Sequence, residues 1–343
     1  MKKLFVIVFV LLMGDVSYSQ CQGDVNQDND LNVSDIIIVV NHILGFDTLA
    51  EDLQLVADYN SNLSIDVSDV ILIVNDILNE NLCSSELLDI ITWNIENFPK
   101  SELTIDYVSS IINSFNDIDI IALQEIQSTI AFNQLISSLE DGWVGYRHED
   151  SNYGELSYLI NTEKITFNAP YSILNQEEYY FAYRPPYVLE FTYKNKQFVL
   201  INIHYKCCDN TSQDSYRREQ ASILLDEYIV DNFNTKNVIV AGDFNDELID
   251  DDNVFDIFLN DSQNYLFADL EVALQSDWWQ YWSYPTWPSH IDHILITNEL
   301  FDEYQKPASY CSTFLIDSNF SNWWEYDQYI SDHRPVRISL FID

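Results

Sequence analysis

The stretch VIVAGDFNDEL, residues 238–248, runs four apolar residues into Gly242 and then sets Asp243, Asn245, Asp246 and Glu247 beyond the turn. Taken alone, this is either an acidic turn or part of a site, because carboxylates and amides there could take a proton from water or hold a cation. The same ending recurs along the chain. LDIITWNIENF reaches Asn94 and Glu96, DIDIIALQEIQ reaches Gln124 and Glu125, and QFVLINIHYK reaches Asn202, His204 and Lys206. SHIDHILIT sets Asp292 inside a strand pattern, and SDHRPVRISLFI places Asp332 and His333 just ahead of one. Singly, each is a cap, a turn residue or, for His204, a satisfied interior histidine. Together they describe one site at the rim of stacked sheets.

Those strands must be positioned by something. Between them lie helical patterns at Leu103–Phe115, Ile130–Leu139 and Tyr216–Phe233, the last amphipathic through Leu224, Leu225, Tyr228 and Ile229. Strands alternating with helices predict an α/β protein.

The chain of 343 residues is long enough for two domains. Two lysines, an apolar run from Leu4 to Met13 and small residues at Ser17 and Ser19 give residues 1–19 the form of a secretory signal, too short to span a membrane. Export predicts disulfides. Cys21 and Cys83 flank one segment, while Cys207, Cys208 and Cys311 leave open a vicinal pair or a bridge from either to Cys311. The formal net charge of -41 disfavours a polyanionic partner unless cations intervene, and residues 84–343 carry 43 acidic against 13 basic residues.

The motifs TWNIENF, IALQEI, NIHYK, GDFND, HIDHIL and SDHRPV occur in the order that marks the endonuclease/exonuclease/phosphatase superfamily, which includes deoxyribonuclease I, and the chain resembles it over residues 88–343. The resemblance implies a four-layered αββα sandwich and a metal-dependent phosphodiesterase. It implies Mg2+ or Mn2+ on Asn94 and Glu125, with Asp332 facing the metal side. Asp243 would orient or deprotonate the attacking water, and Asn245 would donate to a phosphate oxygen. His333 would act on the phosphate with Asp292 holding its ring, and His204 would be a second phosphate contact. Pro185 occupies the position at which a glutamate is expected to orient that histidine, so the orienter of His204 is left open. Arg184 is a candidate phosphate contact and Trp287, in the tryptophan-dense SDWWQYWSYPTWPSH, a candidate stacking residue. Arg217 and Arg218 fit salt bridges slightly better than phosphate.

Nearer the N-terminus, GDVNQDNDLNVSDIIIVVNHILG and ADYNSNLSIDVSDVILIVNDILN repeat one pattern, an oxygen-rich loop before an apolar run. Asp24, Asn26, Asp28 and Asp35 alternate in the first loop, and Asp58, Asn60, Asn62 and Asp69 in the second, as a hard cation of six to eight oxygen ligands requires. The segment resembles a type I dockerin, a small all-α domain with one Ca2+ per loop. The resemblance adds Asp30 and Ser64 as backbone ligands and implies a cohesin-like partner. The expected layout is a signal at 1–19, a dockerin-like domain at 20–83 and the catalytic domain at 84–343.

The sequence therefore predicts a secreted phosphodiester hydrolase, first a nuclease acting on nucleic acid. Its rivals are a phospholipid (sphingomyelinase-like) or small phosphoester hydrolase of the same fold, and a non-catalytic assembly module.

Overall fold

The computed structural model describes residues 23–26, 31–59, 64–78, 87–115, 118–149, 155–207, 212–250, 253–306 and 308–342. The expected signal, Cys21, Cys83, Cys208 and the loop residues Asp28, Asp30, Asn60 and Asn62 lie outside them. The chain divides into two compact units, residues 1–86 and 87–343.

Among its described residues the first unit holds three helices, α1 (Val33–Ile43), α2 (Glu51–Ala57) and α3 (Val67–Leu78). Val25, Leu31, Val39, Leu49, Ala57 and Ile73 form its core. Helix α1 opens on a capping box, in which Asn32 accepts from the Ser34 N–H and the Asp35 carboxylate accepts from the Asn32 N–H at 3.0 Å. The other oxygen of Asp35 accepts the N–H groups of Val25 and Asn26, at 2.9 and 3.1 Å. Thirty-four residues on, Asp69 accepts from the Asp66 N–H at 2.8 Å, so the repeat seen in sequence is kept in the local geometry.

Among its described residues the second unit has thirteen strands. They are β1 (Leu87–Phe98), β2 (Ile120–Ile126), β3 (Trp143–Arg147), β4 (Ser157–Asn161), β5 (Thr166–Phe167), β6 (Tyr171–Ser172) and β7 (Tyr187–Tyr193). They continue with β8 (Lys196–His204), β9 (Asn237–Asp243), β10 (Tyr265–Phe267), β11 (Asp292–Thr297), β12 (Tyr310–Thr313) and β13 (Val336–Phe341). One sheet runs β12-β13-β1-β2-β4-β3 and the other β10-β11-β9-β8-β7-β5, with β6 against β7. The longer helices are α4 (Thr104–Asn113), α5 (Thr129–Ser138) and α6 (Ser212–Phe233).

Three apolar clusters resolve the layers. Leu88, Ile90, Ile120 and Ala122 of one sheet pack on Leu189, Leu200, Ile239 and Ile294 of the other. Ile91, Trp93, Ile121 and Leu123 face outward onto α4 and α5. Ile201, Ile203, Val238 and Val240 face outward onto α6. The order is helices, sheet, sheet, helices, the expected four-layered sandwich.

The period of two along each strand decides where the polar residues go. On β1 the inward series Leu88, Ile90 continues to Thr92 and Asn94; on β8, Phe198 and Leu200 continue to Asn202 and His204. On β9, Ile239 and Ala241 continue to Asp243, while on β11 Asp292 begins the series of Ile294 and Ile296. All four chemistry-bearing side chains therefore emerge between the sheets at one rim. One layer below them, Gln124 Nε2 donates to Asn202 Oδ1 at 2.8 Å and Asn202 Nδ2 donates to the carbonyls of Leu123 and Ser157, both at 3.0 Å. These two amides, read from sequence as strand-end polar groups, bridge the sheets.

Candidate active site

Asp243 stands at the centre of the rim. Its Oδ2 accepts from Asn94 Nδ2 at 2.9 Å and lies 3.5 Å from His204 Nε2 and 3.9 Å from His333 Nε2. Registry makes this possible: His204 and Asp292 are the direct neighbours of Asp243 on the flanking strands. The close approach of β8 and β9 needs Gly242, because a Cβ there would fall 2.0 Å from the Ile203 carbonyl oxygen. After the strand, Asn245 turns with φ 57°; its N–H donates to Asp243 Oδ1 at 2.9 Å and its Nδ2 to the Tyr205 carbonyl at 3.2 Å.

Glu125 breaks the alternation of β2. By parity it would follow Leu123 outward, but its φ of 61° redirects it, and Oε1 accepts from Asn94 Nδ2 at 3.2 Å. Its Oε2 accepts the Asn97 N–H at 2.8 Å. A left-handed glutamate is uncommon and is sustained here by those two bonds.

His333 arrives from the last loop. Its Nδ1–H donates to Asp292 Oδ2 at 2.7 Å, which leaves Nε2 facing Asp243. Its backbone N–H donates to Ser331 Oγ, which in turn donates to the Asn94 carbonyl at 2.7 Å, so this loop is fastened to the end of β1. Tyr284, which the motifs did not single out, lays its ring 4.7 Å from the imidazole. Asp332 Oδ1 is 3.8 Å from His333 Nε2.

Burial, and then the nearby Asp292 charge, push the Asp243 carboxyl up to about 7. Burial disfavours the His333 imidazolium, but Asp292, Asp243 and Asp332 outweigh it and hold its pKa well above the histidine range. His204 goes the opposite way. Burial, with Arg184 and His333 as cationic neighbours, takes it well below that range, so it is a neutral ring. The two histidines thus differ in charge, His333 holding its second proton and His204 standing as a neutral ring.

The donor set fits a hard divalent cation. Asn94 Oδ1 and Asp332 Oδ1 are buried oxygens without a hydrogen-bond partner, and Glu125 lies beside Asn94. Carboxylate oxygens of Asp243 and Asp292 and a ring nitrogen of His333 also lie within 4.8 Å of one another.

The structure supplies partners that the sequence left open. The carboxylate beside His204 is Glu155, 3.7 Å from Nδ1, and it comes from the entry to β4 rather than from the segment around Pro185. Arg184 is tied into its own chain: Nη1 pairs with Glu155 at 3.1 Å, while Nε and Nη2 donate to the carbonyls of His204 and Tyr205. It braces the site and presents no unengaged nitrogen to a phosphate. Arg218 pairs with Asp246 at 2.9 Å, whereas Arg217 donates to the Tyr179 carbonyl and covers that ring. Arg334, buried between Trp279 and Trp323, grips Asp317 with two nitrogens. Trp287 stays largely exposed, on the hairpin closed by the Tyr284–Ser289 bridge. Cys207 is disulfide-bonded and Cys311 is a free thiol, so no bridge to Cys311 forms.

A model of the endonuclease/exonuclease/phosphatase family matches residues 91–333. The chain belongs to that family. No curated protein matches it. Among solved structures, the family member from Bacteroides vulgatus shares 16% identity with a TM-score of 0.54, covering 75% of this chain and 99% of that one. Zebrafish TDP2 complexed with a single-strand DNA product gives 14% and 0.55, covering 74% and 98%. A mannosyl-6-phosphatase from Bacteroides thetaiotaomicron gives 14% and 0.50, covering 74% and 100%. At these identities the likeness is one of fold. No helix among the described residues is long and apolar enough to cross a membrane.

Proposed function

We propose that this family member hydrolyses phosphodiesters with the aid of Mg2+ or Mn2+, and that it acts as a nuclease. The observation carrying the reading is the convergence on Asp243 Oδ2 of Asn94, His204 and His333, with Asp292 behind the last. Asn94, Glu125 and Asp332 would hold the metal, whose charge would offset that of the phosphoryl oxygens. Asp243, with its raised pKa, accepts a proton from the water that attacks phosphorus. The ester P–O bond then breaks and His333 gives its Nε2 proton to the leaving oxygen, while Asp292 retains the ring by Nδ1. Asn245 and neutral His204 donate to the non-bridging oxygens.

A second reading has its own support. Arg184, Arg217, Arg218 and Arg334 are engaged within the chain, which favours a small phosphoester or a phospholipid over a polyanion. Purified protein should therefore be assayed on plasmid DNA, RNA, sphingomyelin and a simple diester, with and without chelator. Chelator-sensitive cleavage of nucleic acid supports the nuclease; cleavage of only the lipid or the small diester selects the second reading; no cleavage of any overturns both.

The N-terminal unit is proposed as a calcium-dependent docking module of an exported protein. Asp24, Asp35, Asp58 and Asp69 are buried there, and no Lys or Arg occurs between Lys3 and Lys100. Ca2+ in both loops would balance those carboxylates. Val33 and Ile37 of α1 and their repeat equivalents Val67 and Ile71 of α3 are exposed apolar side chains suited to a cohesin-like partner. Calorimetry of the full chain should show two Ca2+ binding events of unequal strength, and no binding would sink the module reading.

A further inference from the structure

One buried carboxylate outside the site connects the loops that carry it. Asp269 follows β10 and is fully buried, as are His290 and His293 beside it. Its Oδ1 accepts the Ile294 N–H at 2.9 Å, and its Oδ2 accepts from His293 Nδ1 at 2.6 Å and His290 Nε2 at 3.0 Å.

The ring protons follow from the outer partners. The Ser283 N–H donates to His290 Nδ1 at 3.1 Å, so that nitrogen carries the lone pair and His290 is neutral. His293 Nε2 lies 2.9 Å from the Asp246 carbonyl oxygen, which only accepts, so both nitrogens of His293 are protonated and the ring is an imidazolium. The energetics agree. Burial opposes both charges, yet each outweighs it in the other, raising the His293 pKa and depressing that of Asp269. Rings of Phe244, Phe255 and Phe267 surround His293 at 5.5, 6.1 and 5.8 Å.

The three ligand atoms are close enough to suggest a metal centre. The proton positions argue otherwise, because His290 Nε2 and both nitrogens of His293 carry hydrogens and offer no lone pair.

What the cluster does hold is the site. The Asp246 carbonyl lies one residue beyond Asn245. Ser283 Oγ accepts the N–H of Asp292 at 3.2 Å, the Ser283 carbonyl accepts the Arg334 N–H at 2.7 Å, and the adjacent Tyr284 covers His333. We propose that Asp269, acting through His293 and His290, is a positioning residue that keeps Asp243, Asn245 and His333 in one geometry. The proposal rests on the phosphodiesterase reading for its effect on rate, but not for its effect on structure.

Asp269→Asn in the full chain tests it, with Asp89→Asn as control. Asp89 is an equally buried carboxylate, bonded to Arg337 and Ser339, five residues before Asn94 on β1. Asp269→Asn should lower kcat about a hundredfold with KM within about threefold of wild type. It should also speed amide exchange in residues 244–247 and 283–285, and Asp89→Asn should do neither. If Asp269→Asn does not fold, His290→Gln keeps the bond to Asp269 and removes only the acceptor for Ser283. It should open residues 283–285 alone. Unchanged exchange in the loops, or unchanged kcat in a folded variant, overturns the proposal. A wild type that cleaves no phosphoester refutes the functional reading, while the exchange measurement still decides the role of Asp269.

Discussion

The ring of His333 is held at both ends: Nδ1 lies 2.7 Å from Asp292 Oδ2, and Nε2 lies 3.9 Å from Asp243 Oδ2. One carboxylate thus raises the proton affinity of both Asp243 and His333. The acid limb of the rate profile should follow Asp243 and the alkaline limb His333, each set higher by the Asp292 charge than it would be without it. Asp292→Asn removes a charge that raises both, so both limbs should move to lower pH. The check is kcat/KM against pH at saturating metal; limbs that stay in place in the variant would refute the shared control.

Asp243→Asn should fold and lose about a thousandfold in kcat, within the range of a removed general base. The same change should stabilise the fold at pH 8. The folded-state carboxyl titrates at about 7 against an ordinary value of 3.8, so the wild type loses stability as pH rises across that interval, and the amide does not. Turnover near wild type on every cleavable substrate would remove Asp243 from the mechanism.

A second raised carboxyl lies away from the site. Asp119 is buried, accepts the Asp89 N–H at 2.9 Å and has Lys164 3.5 Å away, and burial takes its pKa to about 7. Its raised folded pKa again means stability present in acid and lost through neutrality. Urea midpoints should fall between pH 5 and pH 8, and Asp119→Asn should flatten part of that fall. Equal slopes in the two proteins would show the proton is not held there.

Nucleic acid affinity should depend only shallowly on monovalent salt. Lys206 is 3.6 Å from Asp214, and the four arginines near the rim are engaged within the chain, so few phosphates find a free cation. Titrating DNA onto Glu125→Gln at fixed Mg2+ tests this. A loss of about a thousandfold from low to moderate salt, as for six or more neutralised phosphates, would reveal a basic groove elsewhere.

Much of this site was legible because strand parity is. Once Val238–Ala241 reads as a strand, Asp243 must share a face with Ile239 and Ala241, and the same rule puts Asn94, His204 and Asp292, which the family motifs singled out, on inward faces. Parity alone would turn Glu125 outward, because no residue pattern announces its positive φ; the motif IALQEI is what singled it out. Glu155 was missed for another reason: it reaches His204 from a distant strand, and pairing across sequence has no local signal. Arg184 misled in the same way. A cation near a site reads as a ligand hand until its carboxylate and carbonyl partners are placed in space. His293 falls on the outward face of β11 and Asp269 in the turn just after β10, where a buried ion pair among phenylalanines is the least expected occupant.

The shared alternation of these strands also limits how such a protein can change over time. A single residue gained or lost inside β8, β9 or β11 would exchange the two faces beyond that point, sending His204, Asp243 or Asp292 toward the helices and an aliphatic side chain toward the phosphate. Insertions after the rim carry no such penalty. Lineages with this architecture are therefore free to vary the loops that meet the substrate, while the lengths of the strands stay closed to tinkering.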